Sequence, residues 1–248
     1  MSSKAVLSHL HRADGSATYS QNGYTIIGAV NGPVDVQRRD ELPEEAAIEV
    51  NVRPAVGVGG PRERHLESLI QATLRHLILV RSYPRTLIQV TLQVRSLPEE
   101  ESAGIGSVLT NSSLTLLPHL LNTAFLALLS ASIPLSTTLT SAFVVITSSG
   151  KLLYSPSSTD ILRAQSIRSI HVFAFSAQRS LLLSEGEGEF DVEEWEDACD
   201  LAEDRCCRNA GIAGENMDVD GEVMNLADFL RDVVKEKVVK EQKWKTAP

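Results

Sequence analysis

Hydrophobic positions along the chain group around one long run, Leu114 to Ala131, which is apolar on nearly every face. A helix of that kind must be covered on all sides. Pro118 fits its first turn, where a missing N–H costs nothing, and Ser112 or Ser113 is expected at or near the N-cap. Pro118, His119, Asn122 and several hydroxyls interrupt the run, whereas a membrane span needs about 20 cleaner residues. The run therefore predicts the central buried helix of a sheet-and-helix domain.

Shorter periods flank it. Ser16–Gln21 and Tyr24–Val30 enclose Asn22-Gly23, a hairpin signal. Asn31-Gly32-Pro33 is expected to break the second run, leaving Val34–Arg38 as a candidate edge strand. Arg39–Glu45 reads as a charged loop and Ala47–Arg53 as a strand. Gly57–Pro61 is a Gly-rich connector without the Lys-Ser/Thr ending of a phosphate-binding loop. Arg62–Val80 has helical periodicity through Leu66, Leu69, Ile70, Leu74, Leu77 and Ile78. A turn at Arg81–Pro84, a strand at Arg85–Arg95 and a polar loop from Leu97 to Ser113 lead into the central helix.

Beyond it, Leu139–Thr147, Lys151–Tyr154, Ile167–Phe175 and a short Gln178–Leu183 read as strands. Residues 184–190 read as an acidic Glu/Gly linker. Asp191 is expected to cap a helix with Val192, Trp195, Cys199, Ala202 and Cys206 on one face. Gly211–Glu222 is acidic with little to bury and is predicted disordered. Val223–Trp244 predicts a last helix with Leu226, Leu230, Val233 and Val234 inward. The layout is α+β: one domain over residues 1–210, an acidic insertion at 211–222, and a C-terminal helix within 223–248 packing on the domain.

Composition refines this picture. The 43% apolar content of 248 residues supports a substantial core, and no h-region of a signal peptide is expected near the start. Cys199, Cys206 and Cys207 show neither disulfide-framework nor metal-ligand spacing, which points to buried reduced thiols and a reducing compartment. The net charge of −9 is uneven: residues 1–182 carry net +2 and are rich in Arg, while residues 183–248 carry −11. That is too little positive charge for tight nucleic-acid binding by this chain alone.

Five short motifs then stand in a recognisable order: Arg12-Ala13-Asp14-Gly15-Ser16, Gly32-Pro33, Arg53-Pro54-x-x-Gly57, Tyr83-Pro84-Arg85-Thr86 after a helix, and Leu121-Asn122-x-Ala124. Over residues 10–210 the chain resembles the RNase PH family, and within it the ring subunits of the eukaryotic RNA exosome. The resemblance implies a two-layer α/β sandwich (the ribosomal protein S5 domain 2-like fold) with duplicated β-α halves around the buried central helix. It also implies assembly into six-membered rings. Implied partners are other RNase PH-like ring subunits, S1/KH cap subunits, exosome-associated ribonucleases and single-stranded RNA, with no membrane. The implied locations are nucleus and nucleolus, and also cytoplasm.

Active members of that family degrade RNA from its 3′ end with inorganic phosphate. A Gly-Gly-Thr-Arg turn at the start of the central helix binds the phosphate, and two aspartates in an Asp-x5-Asp pattern hold a divalent ion. Counted from Leu121-Asn122, the Thr-Arg pair falls on Leu116 and Leu117. The loop before them contains Gly104, Gly106 and Thr110 but no Arg or Lys. Counted from the Ile170–Phe175 strand, the two aspartates fall on Arg163 and Ser169, with Asp160 as the one carboxylate nearby. The expectation is a non-catalytic subunit with no cofactor, no metal and no phosphate site.

Arg62 and Arg64, where active relatives contact RNA phosphates, are the candidate RNA-binding residues; the alternative is a solvated helix end paired with Glu63 or Glu67. Arg53 is expected to fix a strand end through backbone carbonyls, His119 to be a satisfied core histidine, and Arg12 to pair with Asp14. Two other functions remain open: a phosphate-dependent exoribonuclease with a non-standard site, and a free-standing interaction domain with an acidic tail.

Overall fold

The computed structural model describes residues 3–39, 41–98, 113–163, 167–207 and 225–246. Strands β1 (Lys4–Leu7), β2 (Gly15–Gln21), β3 (Tyr24–Asp35), β4 (Ala47–Arg53) and β5 (Thr86–Ser96) form a five-stranded sheet in the order β1-β2-β3-β5-β4. Only β4 runs parallel to its neighbour, because helix α1 (Pro61–Leu77) carries the chain across between β4 and β5. Strands β6 (Leu139–Thr147), β7 (Leu152–Tyr154), β8 (Ile167–Ser176) and β9 (Leu181–Gly188) make an antiparallel sheet in the order β7-β6-β8-β9. Helix α2 (Leu117–Ser130) lies between the sheets, against β2 and β3 on one side and β6 and β8 on the other. Helix α3 (Ser158–Arg163) is short; α4 (Val192–Cys206) covers the outer face of β6 and β8, and α5 (Leu226–Glu241) reaches β1, α2 and α4. A last turn, α6 (Lys243–Thr246), follows.

The duplicated β-α halves expected from the sequence are therefore present, and α2 is what they share. Thirteen of its fourteen residues are buried, so the long apolar run is a core helix. Each fully buried leucine contributes roughly 1.5–3 kcal/mol of transfer free energy. Strand β6, covered by α2 and α4, is buried at every position, whereas β3 alternates because the outer face of its sheet is open.

Several boundaries differ from the sequence expectation. Ser113 does not cap α2: it opens a 3-10 turn, Ser113–Thr115, and Leu116 is the N-cap, without a side-chain bond, while Ser112 lies outside the described residues. Gly32-Pro33 does not end the strand. The peptide is cis, a bulge between Asn31 and Val34 absorbs the irregularity, and pairing with β5 resumes at Val34–Leu87. Val34–Asp35 is thus the end of an interior strand, and no separate edge strand forms there. Helix α1 stops at Leu77, where Ile78 turns extended and bridges to Leu135. Residues 184–188 are not a linker but most of β9, hydrogen-bonded to β8. On α4 the buried positions are Ala198, Ala202 and Cys206, while Val192 is exposed. The edge strand β1 and the short α3 lacked a sequence signal, and residues 99–112 and the predicted disordered segment 211–222 lie outside the described residues.

Candidate functional site

The family motifs in this chain are explained by packing. Asp14 does not pair with Arg12; its Oδ2 accepts from Gly32 N–H at 2.8 Å and ties the entry segment to the β3 bulge. Gly15 lies against the end of α2, where an added Cβ would fall 2.3 Å from Ala131 N. Ser16 N–H donates to Ser130 Oγ at 3.3 Å, and Ser16 Oγ accepts from Leu10 N–H at 3.0 Å. At the Tyr83-Pro84-Arg85-Thr86 corner, Thr86 Oγ1 donates to Tyr83 O at 2.8 Å and Arg85 N–H donates to Leu42 O at 3.1 Å. Arg53 is exposed and does not fix its strand end. Glu67 Oε1 does so by accepting from Val52 N–H at 2.8 Å, and Gln93 Nε2 holds Pro54 O at 3.0 Å.

Asn122 is the polar anchor of α2. Its Nδ2 donates to Ser141 O at 2.9 Å, its Oδ1 accepts from Ser141 N–H at 3.0 Å, and Ser141 Oγ donates to Pro118 O at 2.9 Å. A buried amide must find such partners, so an asparagine in an apolar helix already signals a backbone clamp. His119, one turn earlier, is not the satisfied histidine expected. It is buried, stacks on Tyr24 with ring centroids 4.6 Å apart, and neither ring nitrogen has a hydrogen-bond partner. Burial pushes its pKa down to about 3.

At the amino end of α2 the Ser113–Thr115 turn packs on β8. Leu117 is fully buried and Leu116 half-buried, both packed in the core, so neither side chain offers an anion a donor. Ser169 is fully buried, and its Oγ shares a 2.9 Å hydrogen bond with His171 Nε2. His171 is itself buried, edge-on to Phe190 at 4.4 Å; burial lowers its pKa, with Glu194 opposing. This Ser-His pair had no sequence signal, because alternation on β8 shows only that residues 169 and 171 share a face. Arg163 is the last residue of α3. Asp160 Oδ2 accepts from Ser157 Oγ at 2.6 Å and from Ser157 N–H at 3.2 Å, as a local cap of α3. Among the described residues no three His, Cys, Asp or Glu side chains converge as metal ligands would.

Arg62 and Arg64 are both exposed in the first turn of α1. Each of the carboxylates suggested as their partners holds a backbone amide. Glu63 Oε2 accepts from Gly60 N–H at 2.6 Å, and Glu67 from Val52 as above. The three cysteines are free thiols, and burial raises Cys206 to about 12, which leaves it unreactive at neutral pH.

Residues 4–134 match the model for domain 1 of the 3′ exoribonuclease family, RNase PH, and the chain belongs to that family. Within it, the chain is similar to the Saccharomyces cerevisiae protein named exosome complex component RRP46, with 30% identity over 210 residues, 83% of this chain and 91% of that one. The Schizosaccharomyces pombe protein named exosome complex component rrp46 is 39% identical over 108 residues, 44% of this chain and 47% of that one. The crystal structure of rice (Oryza sativa) Rrp46 superposes with a TM-score of 0.73 at 25% identity, covering 94% of both chains. A subunit of the Archaeoglobus fulgidus exosome, in a structure with RNA bound to the active site, shares the fold with a TM-score of 0.63 at 14% identity.

Proposed function

We propose that this chain is a non-catalytic ring subunit of an RNA exosome, supporting 3′-to-5′ RNA processing and degradation. It would complete a six-membered ring of RNase PH-like chains and contribute surface to the RNA channel. The observation that carries the silent reading is the burial of Leu117 in the core at the family's phosphate position. It is joined by Ser169, buried against His171 where a metal-binding aspartate is expected. A hydroxyl already bonded to an imidazole is a poor ligand for a hard divalent ion, which prefers carboxylates and water. The relatives named as exosome components support the assembly. The ring neighbours would be other RNase PH-like subunits, with S1/KH cap subunits and associated ribonucleases docked on them, in nucleus, nucleolus and cytoplasm. Within the channel, Arg62 and Arg64 would meet phosphates without reading bases.

A second reading is favoured by the rice and Arabidopsis thaliana relatives, whose names carry the word exonuclease. One experiment separates the two. The purified chain is incubated with single-stranded RNA, Mg²⁺ and phosphate, and nucleoside diphosphate release is followed. No release above a buffer control is expected; release abolished by Asp160→Asn overturns the silent reading.

A further inference from the structure

The last long helix runs past the body that supports it. Leu226 and Leu230 of α5 are buried, and Phe229, Val233 and Val234 pack partly against the core. Lys237 makes the final anchor, its Nζ donating to Ser130 O at the carboxyl end of α2. From Val238 to Lys245 every residue is exposed, although the chain stays helical to Glu241 and again in α6. Helices in folded proteins are stabilised mainly by the face they pack, and this stretch buries no side chain. Three apolar side chains nevertheless stand in solvent there: Val238 at 42%, Val239 at 64% and Trp244 at 73% exposure.

Lysines surround the exposed ring. Residues 235–245 hold five Lys and two Glu, net +3 in a chain of net −9. Lys245 Nζ lies 5.4 Å from the centre of the Trp244 ring, a cation–π distance. Lys240 meets Glu236 at 2.7 Å, a pair exposed on both sides. Such pairs contribute little, so a denser anion can take the place of the carboxylate. The shape of the tip narrows what fits it. A bound peptide needs a groove or a free sheet edge, and an exposed helix tip supplies neither. A bilayer would meet only two valines and one tryptophan, with an acidic body behind them. A nucleobase needs only an aromatic face, with cations beside it for the phosphates.

We propose that the tip formed by the end of α5 and α6 is a contact site for single-stranded RNA, in which Trp244 stacks on a base while Lys240 and Lys245 meet the flanking phosphates. The contact rests on the reading of this chain as a subunit that handles RNA, and it adds a site apart from Arg62 and Arg64. Those arginines open α1, whereas the tip follows an anchor at the carboxyl end of α2. Stacking accepts any base, so the site holds a strand without selecting its sequence. A duplex, whose bases are already stacked, offers Trp244 no free face.

The test uses the full chain and a short fluorescein-labelled oligouridine at low ionic strength. Anisotropy reads binding, and tryptophan emission with unlabelled oligouridine reads stacking. Oligouridine is expected to bind and to quench emission, and Trp244→Phe, which leaves Trp195, is expected to lose most of the quenching. Trp244→Ala, checked for folding by circular dichroism, is expected to weaken binding about fivefold or more. Lys240→Gln with Lys245→Gln should lower the salt slope by about 0.7 unit for each lysine. Unchanged affinity in folded Trp244→Ala would overturn the proposal and leave the ring reading in place, because that reading is tested by the chains that co-purify. Equal quenching by polyphosphate, by an acidic Glu-Val peptide or by phosphatidylserine vesicles would also overturn it, assigning the tip to diffuse charge, a protein or a membrane. So would emission from Trp244 that changes with protein concentration alone, the mark of a second copy on the tip.

Discussion

His119 offers a sharp quantitative test of how the two halves pack, because both of its ring nitrogens are buried without a partner. Its folded pKa of about 3 lies below the ordinary 6.5. Between those values the unfolded chain binds a proton that the folded chain does not, so stability falls as pH drops through 6.5 and continues to fall toward 3. The slope is about 1.4 kcal/mol per pH unit. From pH 7.5 to pH 5 this one residue therefore costs about 2 kcal/mol. His119→Leu removes the titration. At the higher pH it also removes two unsatisfied groups, worth about 1–3 kcal/mol, and loses the stacking on Tyr24, worth about 0.5–1.5 kcal/mol. The variant should thus lie near or slightly above wild type at the higher pH. Urea denaturation of both proteins at the two pH values gives the double difference. His9 and His171, whose pKa values burial also lowers, occur in both proteins and cancel. The expected result is that the variant gains about 2 kcal/mol on wild type at the lower pH. Parallel loss of stability in the two proteins would refute the reasoning.

The remaining predictions concern the clamps and the channel. Asn122→Ala strands the buried N–H and C=O of Ser141 and should cost about 2–4 kcal/mol in urea denaturation. Lys237 Nζ donates to Ser130 O at 3.0 Å and Ser130 Oγ at 3.2 Å, at the negative end of α2. Lys237→Met should cost about 1–3 kcal/mol and make α5 the first segment released by limited proteolysis. In an assembled ring, Arg62→Glu with Arg64→Glu should leave assembly intact and weaken protection of threaded RNA. The salt slope of RNA binding should fall by about one unit per lost phosphate contact. Wild-type protection in that double variant would make the arginines a solvated helix end, and a failure to assemble would make them interface residues.

The core was legible wherever one period ran uninterrupted. Ala47–Arg53 and Leu139–Thr147 have their expected bounds, and the hairpin at Asn22-Gly23 forms as expected. Misreadings arose where a local signal competed with pairing. Gly32-Pro33 looks like a break, but β5 holds the strand on both sides of the bulge. Glu-Gly-Glu-Gly looks like a linker, yet at a sheet edge its alternation is compatible with a strand. Glycines 186 and 188 meet the β8 side, where an added Cβ would come within 2.9 Å of His171 Nδ1 and 2.3 Å of Arg168 O. His119 was legible as a core residue, but its missing hydrogen-bond partners were not, since its surroundings come from Tyr19, Tyr24 and Phe143 on other elements. The family motifs could be found but not interpreted from sequence: Asp14, Gly15 and Asn122 hold the scaffold that relatives share. Leu117, read from the sequence as a phosphate position, is buried in the core, and Ser169, read as a metal-ligand position, is bonded to His171.

The central claim is that this chain works as a built-in part of a ring of related chains. It is tested most directly by affinity purification of the tagged full chain at moderate salt, with quantitative mass spectrometry of what co-purifies. Recovery of several other RNase PH-like chains, each in near-equal amount to the bait, is the predicted result. Recovery of the chain alone, or with partners that include no RNase PH-like protein, would contradict it.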